Sequence, residues 1–329
     1  MNLRNRLGVG VVIAAVTTLS IAGCSSGGTV ASGGTGSNKK LVFIQGEAPN
    51  NFYISMKCGV ESAAKRAGYT VTTQGGQKFD PTLQLPIVQS VLANKPTALI
   101  IAPTDTSALQ QPLQQAVTNG TKLVLVDTTL DTPSIAFSSI ASDNKGGGAA
   151  AFQAIKKLAP NGGKVLVIDN QPGISTSQER TQGFADGVKT DPKFKNLGVQ
   201  YAQDDSTKAA QVVSAALQRN RDIVGIFATN VHSAVGAATG VQQAGKTGRV
   251  QVVTFDAGPD QVSALKDGTI QALIAQQPEK IGEEGAKAAI AALEGKPFAK
   301  NIATGFSIIT KADLNSPTSQ AALYKSSCS

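Results

Sequence analysis

The sequence predicts an α/β protein of two similar domains, each a parallel β-sheet with helices on both faces. Three observations carry this. Short β-branched runs alternate with longer amphipathic segments from Lys39 onward, and strand–helix alternation builds parallel sheets through crossover connections. The rhythm restarts after Asp143 and runs to Leu293. Nothing between the two series has the composition of a disordered linker, so short structured crossings join them.

In the first series, strands are expected at Leu41–Ile44, Thr70–Thr73, Ala98–Ile101, Lys122–Val126 and Ile135–Ser138. Between them lie helical patterns at Phe52–Ala67, Pro81–Asn94 and Thr106–Asn119, each ending near a Gly or Asn (Gly68, Asn94, Gly120). The second series gives helices at Lys145–Leu158, Thr176–Lys189, Thr207–Arg219, Ser233–Ala244, Pro259–Asp267 and Glu279–Leu293. Its strands are expected at Lys164–Ile168, Leu197–Ala202, Ile223–Ala228, Val250–Phe255 and Thr269–Ala275.

The stretch Asn50–Gly59 stands out, because adjacent aromatics, Phe52 and Tyr53, open the first helix after a strand and a polar loop. Aromatics there are either core or the wall of a ligand-facing edge. The other strand ends decide between the two.

Residues 1–23 read as an export signal: Arg4 and Arg6 precede an apolar stretch, Leu7 to Gly23, that is short for a membrane span. The sequence Leu19-Ser-Ile-Ala-Gly-Cys24 resembles the bacterial lipoprotein signal, which implies acylation of Cys24 and an anchor on the outer face of the cytoplasmic membrane. Residues 24–38, rich in Gly, Ser and Thr, read as a flexible tether.

The formal charge of +8 falls to +6 when Arg4 and Arg6 leave with the signal. Its lysines and arginines are scattered, so neither a nucleic-acid nor a membrane-surface partner is indicated. With Cys24 lipidated, Cys58 and Cys328 are the remaining cysteines of an exported chain, and one pairing exists. A bond between them would close a very long loop, for which the chain-entropy value is roughly 5 kcal/mol. Two separate thiols are the alternative.

From here a resemblance becomes specific. The stretches in question are Asn51-Phe-Tyr-Ile-Ser-Met-Lys with Gly59, Pro103-Thr-Asp105, Ile140-Ala-Ser-Asp-Asn144, and Glu179-Arg180 with Gly183-Phe184. Ile226-Phe-Ala-Thr-Asn230, Phe255-Asp256 and Ile274-Ala-Gln276 with Pro278 complete the series. In this order and spacing they resemble the sugar-binding proteins of bacterial ATP-binding-cassette importers, closest to the ribose-binding type (type I periplasmic solute-binding proteins). The resemblance implies two Rossmann-like lobes joined by three hinge crossings, with a ligand cleft between them. The lobes would take residues 39–141 plus 277–305 and 142–276 plus 306–313, leaving a tail of 314–329.

A site for a sugar or polyol needs carboxylates, amides and a guanidinium converging on hydroxyls, plus apolar faces for C–H surface. Asp127, Asp256, Asn230 and Gln276 each follow a strand closely, where such sheets place ligands. A helix-capping role is the competing reading of a polar residue there. By the resemblance, these four, with Asn50, Phe52, Tyr53 and Arg180, are ligand contacts. Two departures stand out. Thr128 follows Asp127 where ribose binders carry Arg, and Asp205 aligns near the aromatic that closes the opposite face of the ring. A carboxylate in place of that aromatic favours a more polar ligand, such as an open-chain tetritol or pentitol, over a ring sugar.

Competing chemistries lack parts. Gly240-Val-Gln-Gln-Ala-Gly-Lys-Thr247 matches the letters of a phosphate-binding loop, but the expected order is helix, then Gly, then strand, which points its amides the wrong way. One histidine, His232, cannot make a zinc site by itself. The expectation is therefore no enzyme, no cofactor and no metal. The chain would be a monomeric, lipid-anchored receptor that hands a monosaccharide or sugar alcohol to an import permease. A sensory lipoprotein presenting its ligand to a receptor is the alternative, with an extracytoplasmic glycosidase-like use of Asp127 and Asp256 behind it.

Overall fold

A computed structural model of the chain describes residues 39–328. The expected signal peptide, the tether and Cys24 lie outside them. Among the described residues, no helix is long and apolar enough to cross a membrane.

The chain opens with β1 (Lys40–Gln45), α1 (Asn51–Arg66), β2 (Thr70–Gly75), α2 (Pro81–Ala93), β3 (Ala98–Ile101), α3 (Gln110–Thr118), β4 (Lys122–Val126) and β5 (Ser138–Ser142). It then runs through α4 (Asn144–Leu158), β6 (Gly163–Asp169), α5 (Ser175–Lys189), β7 (Phe194–Tyr201), α6 (Ser206–Arg219) and β8 (Ile223–Ala228). Next come α7 (Val231–Gln243), β9 (Gln251–Phe255), α8 (Pro259–Asp267), β10 (Ala272–Ala275) and α9 (Pro278–Leu293). The last elements are β11 (Asn301–Thr304), β12 (Ser307–Thr310) and α10 (Pro317–Ala321).

Two six-stranded sheets result, ordered β11-β5-β4-β3-β1-β2 and β12-β10-β9-β8-β6-β7. The first is parallel throughout, and in the second only β12 runs antiparallel, against β10. The fold is a two-lobed α/β architecture, one sheet in each lobe. In each sheet the order reverses beside an early strand, β1 or β6, which opens a crevice at the strands' carboxyl ends. The chain passes between the sheets three times: from β5 to α4, from β10 to α9, and from β11 to β12. Ser142 Oγ donates to Gln276 Oε1 at 2.7 Å and Asp143 N donates to Thr304 O at 2.9 Å, so the crossings are bonded to one another.

The strands of β3 and β10 are buried at every residue, as parallel strands covered on both faces must be. Glycines set the tightest helix contacts. A Cβ on Gly59 of α1 would collide with the Glu279 carbonyl of α9, and one on Gly282 with the Met56 carbonyl. The same arrangement recurs between α4 and α5, where Gly148 faces the Arg180 carbonyl and Gly183 that of Lys145. Such pairs let backbones approach where any side chain would hold them apart.

Several expected boundaries move. The helix placed at Thr106–Asn119 begins at Gln110, because Asp105 Oδ1 accepts from the Ser107 and Ala108 amides and holds a turn there. The strand placed at Ile135–Ser138 is Ser138–Ser142, since Pro133 starts a short 3-10 turn over Pro133–Ile135. Beyond β12, the tail folds back through α10 along α1 and brings Cys328 beside Cys58, with a Cα separation of 5.2 Å and the sulfurs at bonding distance.

Candidate functional site

Two carboxylates define the site. Asp127 is the first residue after β4 and Asp256 the first after β9, and both sit at positive φ, 63° and 79°. Few non-glycine residues adopt that conformation, and Asp is among the most tolerant. Each is 6 % exposed or less. The Tyr53 hydroxyl donates to Asp127 Oδ2 at 2.6 Å, while the Tyr324 hydroxyl and Gln276 Nε2 donate to Asp256 Oδ1 at 2.9 and 2.6 Å. Burial pushes the Asp127 carboxyl up to about 6 against the pull of Arg180 and Tyr53. Burial also raises the Asp256 carboxyl, again opposed by Arg180.

Arg180 lies between these acids. It projects from α5, which packs closely on α4 where Gly148 faces the Arg180 carbonyl and Gly183 that of Lys145, and it is 4 % exposed. Its Nε donates to Asn144 Oδ1 at 2.9 Å, and one terminal nitrogen donates to the Thr229 carbonyl at 2.8 Å. The guanidinium also stacks 3.9 Å above the Phe255 ring. Backed in this way, the fork keeps its remaining N–H groups for the cavity at little further entropic cost.

One wall is aromatic. Asn50 caps α1 by accepting from the Phe52 amide at 3.0 Å, and its Nδ2 donates to Glu47 Oε2 at 2.7 Å. That cap places Phe52 and Tyr53, both 5 % exposed or less, at the head of the helix. Their rings meet edge to face at 5.1 Å, and Tyr53 stacks on Phe79 at 6.3 Å. The far end is polar. Asp204 Oδ1 accepts from Asn170 Nδ2 at 3.0 Å and from Asn230 Nδ2 at 2.9 Å. Asp204 Oδ2 and Asn170 Oδ1 are buried without a hydrogen-bond partner. Burial pushes the Asp204 carboxyl up to about 6, with the His232 charge pulling it down.

His232 Nε2 lies 3.2 Å from Glu47 Oε1 and 3.9 Å from Asp204 Oδ2. Its bond to Glu47 holds the imidazolium up to about 9, although burial opposes it. The three groups could each offer one atom to a metal, within 4.8 Å of one another. An imidazolium has no free lone pair, so near neutral pH they form an ion pair across the cleft. The lobes meet again where Thr106 N donates to the Gly173 carbonyl at 3.2 Å and Thr129 N to Ser175 Oγ at 3.0 Å.

Of the residues singled out in the sequence, Asn50, Phe52, Tyr53, Asp127, Arg180, Asn230, Asp256 and Gln276 line one cavity of about 50 Å3 between the sheets. Capping and cavity roles coexist: Asn50 and Asn230 each cap a helix with one amide atom and turn the other inward. Two expectations are corrected. Thr128 is buried with its hydroxyl on the Pro103 carbonyl at 2.7 Å and does not line the cavity, because the left-handed turn at Asp127 carries it away. Asp205 is exposed and caps α6 by accepting from the Lys208 amide at 2.9 Å; its neighbour Asp204 enters the cavity instead. The sequence reading missed Phe79, Asn170 and Glu47, which follow β2, β6 and β1. It also missed Tyr324, whose signal was its place four residues before a cysteine awaiting a partner.

Comparison with known proteins identifies the family. Residues 41–297 match the family model described as a periplasmic binding protein domain. The ribose import binding protein of Salmonella typhimurium is 36% identical over 250 residues, covering 75% of this chain and 82% of that protein. A solute-binding protein of an ABC transporter from Agrobacterium vitis, solved with α-D-tagatopyranose, superposes with a TM-score of 0.85 at 38% identity, covering 87% of this chain and 99% of the other. One from Agrobacterium radiobacter, solved with D-arabinose, gives 0.83 at 28% identity, covering 88% and 100%. With the matched model spanning well over half its length, the chain belongs to the periplasmic binding protein family.

Proposed function

We propose that the chain is the solute-binding component of a sugar importer, exported and lipid-anchored through Cys24. It captures a monosaccharide or sugar alcohol between its lobes and delivers it to a membrane permease. The observation that carries this is the convergence of Asp127, Asp256 and Arg180 beside an aromatic wall in one small interlobe cavity. Carboxylates accept from hydroxyls, the guanidinium donates to them, and the rings cover C–H surface. The relatives named above, a ribose import protein and proteins solved with tagatose and arabinose, support a sugar-class ligand.

The cavity's polar end supports a finer reading. Two buried acceptors without partners, Asp204 Oδ2 and Asn170 Oδ1, call for two donors from the ligand, since an unmet buried acceptor costs about 1–3 kcal/mol. Adjacent hydroxyls on a freely rotating polyol terminus can meet both, so a tetritol or pentitol fits as well as a ring. Binding would draw the lobes together through contacts made only in the closed state. The Cys58–Cys328 pair would tie down the tail in the oxidising compartment outside the membrane.

Calorimetric titration of D-ribose, D-arabinose, D-tagatose, erythritol and xylitol into the protein tests both levels. Binding of any one supports the sugar-class receptor. Binding of the three ring sugars without either alcohol removes the polyol reading, and silence across the panel removes the sugar reading.

A further inference from the structure

We propose that Tyr324 is a positioning residue for the ligand site: its hydroxyl orients Asp256 and the hinge residue Gln276, and the C-terminal segment holds it there by anchoring to α1. The inference rests on the reading of the cleft as a sugar site, because Asp256 matters through the ligand it would meet.

Tyr324 is 6 % exposed and lies outside the cavity, behind Asp256. Its oxygen accepts from the Gln276 amide at 3.1 Å, so its own proton is free to go to Asp256 Oδ1 at 2.9 Å. A carboxylate can only accept, which fixes the direction of that bond. Burial and the Asp256 charge hold the phenol well above its ordinary range, keeping it a donor at every physiological pH. Gln276 Nε2 lands on the same Oδ1 at 2.6 Å. Both protein donors are thus collected on one oxygen, and Oδ2 is left for a hydroxyl of the ligand.

The segment that carries Tyr324 bridges the lobes. On one side the Tyr324 amide donates to the Ala257 carbonyl at 3.1 Å, next to Asp256. On the other, the Lys325 amide donates to Ser55 Oγ at 2.7 Å, Asn51 Nδ2 donates to the Lys325 carbonyl at 3.0 Å, and Cys328 reaches Cys58. Ser55, Asn51 and Cys58 all belong to α1, the helix whose first turn carries Phe52. The Tyr324 ring itself packs 5.7 Å from Phe52. The strap therefore joins the aromatic wall of one lobe to the carboxylate of the other, beside a hinge crossing.

The test uses the full chain with Tyr324→Phe, which keeps the ring and removes the hydroxyl, and Cys328→Ser, which keeps Tyr324 and cuts its anchor. Carboxyl-carbon NMR without ligand follows Asp256 directly. Losing a donor disfavours the carboxylate, so the Asp256 midpoint is expected to move to higher pH in Tyr324→Phe and less far in Cys328→Ser. The Gln276 amide should exchange faster in both. With whichever of D-ribose, D-arabinose, D-tagatose, erythritol and xylitol the wild type binds, affinity is expected to fall about tenfold in Tyr324→Phe, the scale of one lost bond to a charged group. An unmoved Asp256 midpoint in Tyr324→Phe overturns the proposal, whatever the ligand. If that variant does not fold, an unmoved midpoint in Cys328→Ser overturns it. Failure of all five compounds to bind the wild type overturns the sugar reading instead, and the NMR arm still decides the role of Tyr324.

Discussion

Asp127 and Asp256 occupy matching places in two lobes, and the likeness extends to detail. Each ends a central strand at positive φ, and each amide donates to the neighbouring strand, to the Ile140 carbonyl at 2.8 Å and the Ile274 carbonyl at 2.9 Å. Each carboxylate accepts from a tyrosine hydroxyl. The supports differ. Tyr53 comes from the helix of its own lobe and stands in the cavity wall, whereas Tyr324 reaches Asp256 from the chain's tail and stays behind it. Gln276 adds a second link, from Asp256 to Ser142 at another crossing. The first carboxylate is thus held from within its own lobe, and the second by the C-terminal tail and by a residue at a crossing between the lobes. A receptor that must close on its ligand and release it gains from this asymmetry: one half of the site stays formed, and the other is completed as the lobes meet.

Arg180 serves both halves, so its removal is the strongest way to break the comparison. Its charge opposes the burial-driven rise of Asp127 and of Asp256. Arg180→Ala takes from both carboxylates their strongest counter-charge and is expected to cost about 2–5 kcal/mol of ligand binding, the scale for truncating one partner of a buried charged pair. Calorimetry with the panel sugar that binds the wild type measures this. Unchanged affinity would remove the guanidinium from the site.

Single carboxylate changes sharpen the contrast. Asp127→Asn and Asp256→Asn keep shape and tolerate positive φ, and each should lose about 1.5–3 kcal/mol of binding, the value of a hydrogen bond to a charged group. Thermal stability at pH 7 should hold or rise in both. The folded-state pKa of each acid is raised, so ionisation works against the fold above it, and the neutral amide removes that cost. Lower melting temperatures in both variants would mean that the carboxylates hold the lobes together rather than await a ligand. Wild-type affinity should also fall as the pH drops through about 6, where Asp127 and Asp204 take up protons. A flat affinity from pH 7.5 to 5 would rule out carboxylate acceptors.

The same contrast explains what the sequence could and could not disclose. Asp127, Asp256 and Gln276 follow apolar runs of unmistakable strand character, and in a parallel sheet such positions face the crevice. Arg180 was visible only through the resemblance carried by Glu179-Arg180 with Gly183-Phe184, because an arginine within a helical pattern has no periodicity signal that turns it inward. Asp204 and Asp205 were a different problem. Periodicity does not say which of two adjacent acids faces inward, and the choice is made by left-handed turns at Gln203 and Asp204, φ 54° each. Thr128 failed for the same reason one residue after Asp127. Tyr324 lies in a tail without periodicity, and its one local pointer is its place four residues before Cys328. The Cys58–Cys328 pairing brings the tail to α1, but which tail side chain then turns toward Asp256 is set by tertiary packing that sequence spacing does not trace.

The smallest expected effect concerns the contact that closes the cleft at its polar end. Glu47 belongs to the loop after β1 and His232 to α7, so their 3.2 Å contact exists only while the lobes are together. Its worth is modest because His232 remains one-third exposed to solvent, and pairs of that kind contribute about 0.2–1 kcal/mol. His232→Gln can still reach Glu47 but carries no charge, so ligand affinity at pH 7 should weaken two- to fivefold, mostly through faster release. The pH dependence carries a sign. The folded-state pKa of His232 is raised to about 9, so the contribution is complete below the ordinary histidine range and is lost as pH rises through about 9. Wild-type dissociation should therefore quicken between pH 8 and 10, while that of His232→Gln stays level. Stopped-flow release of the bound sugar compares the two, and parallel profiles would assign the closing force to the hydrogen bonds at the Gly173 carbonyl and the Ser175 hydroxyl instead.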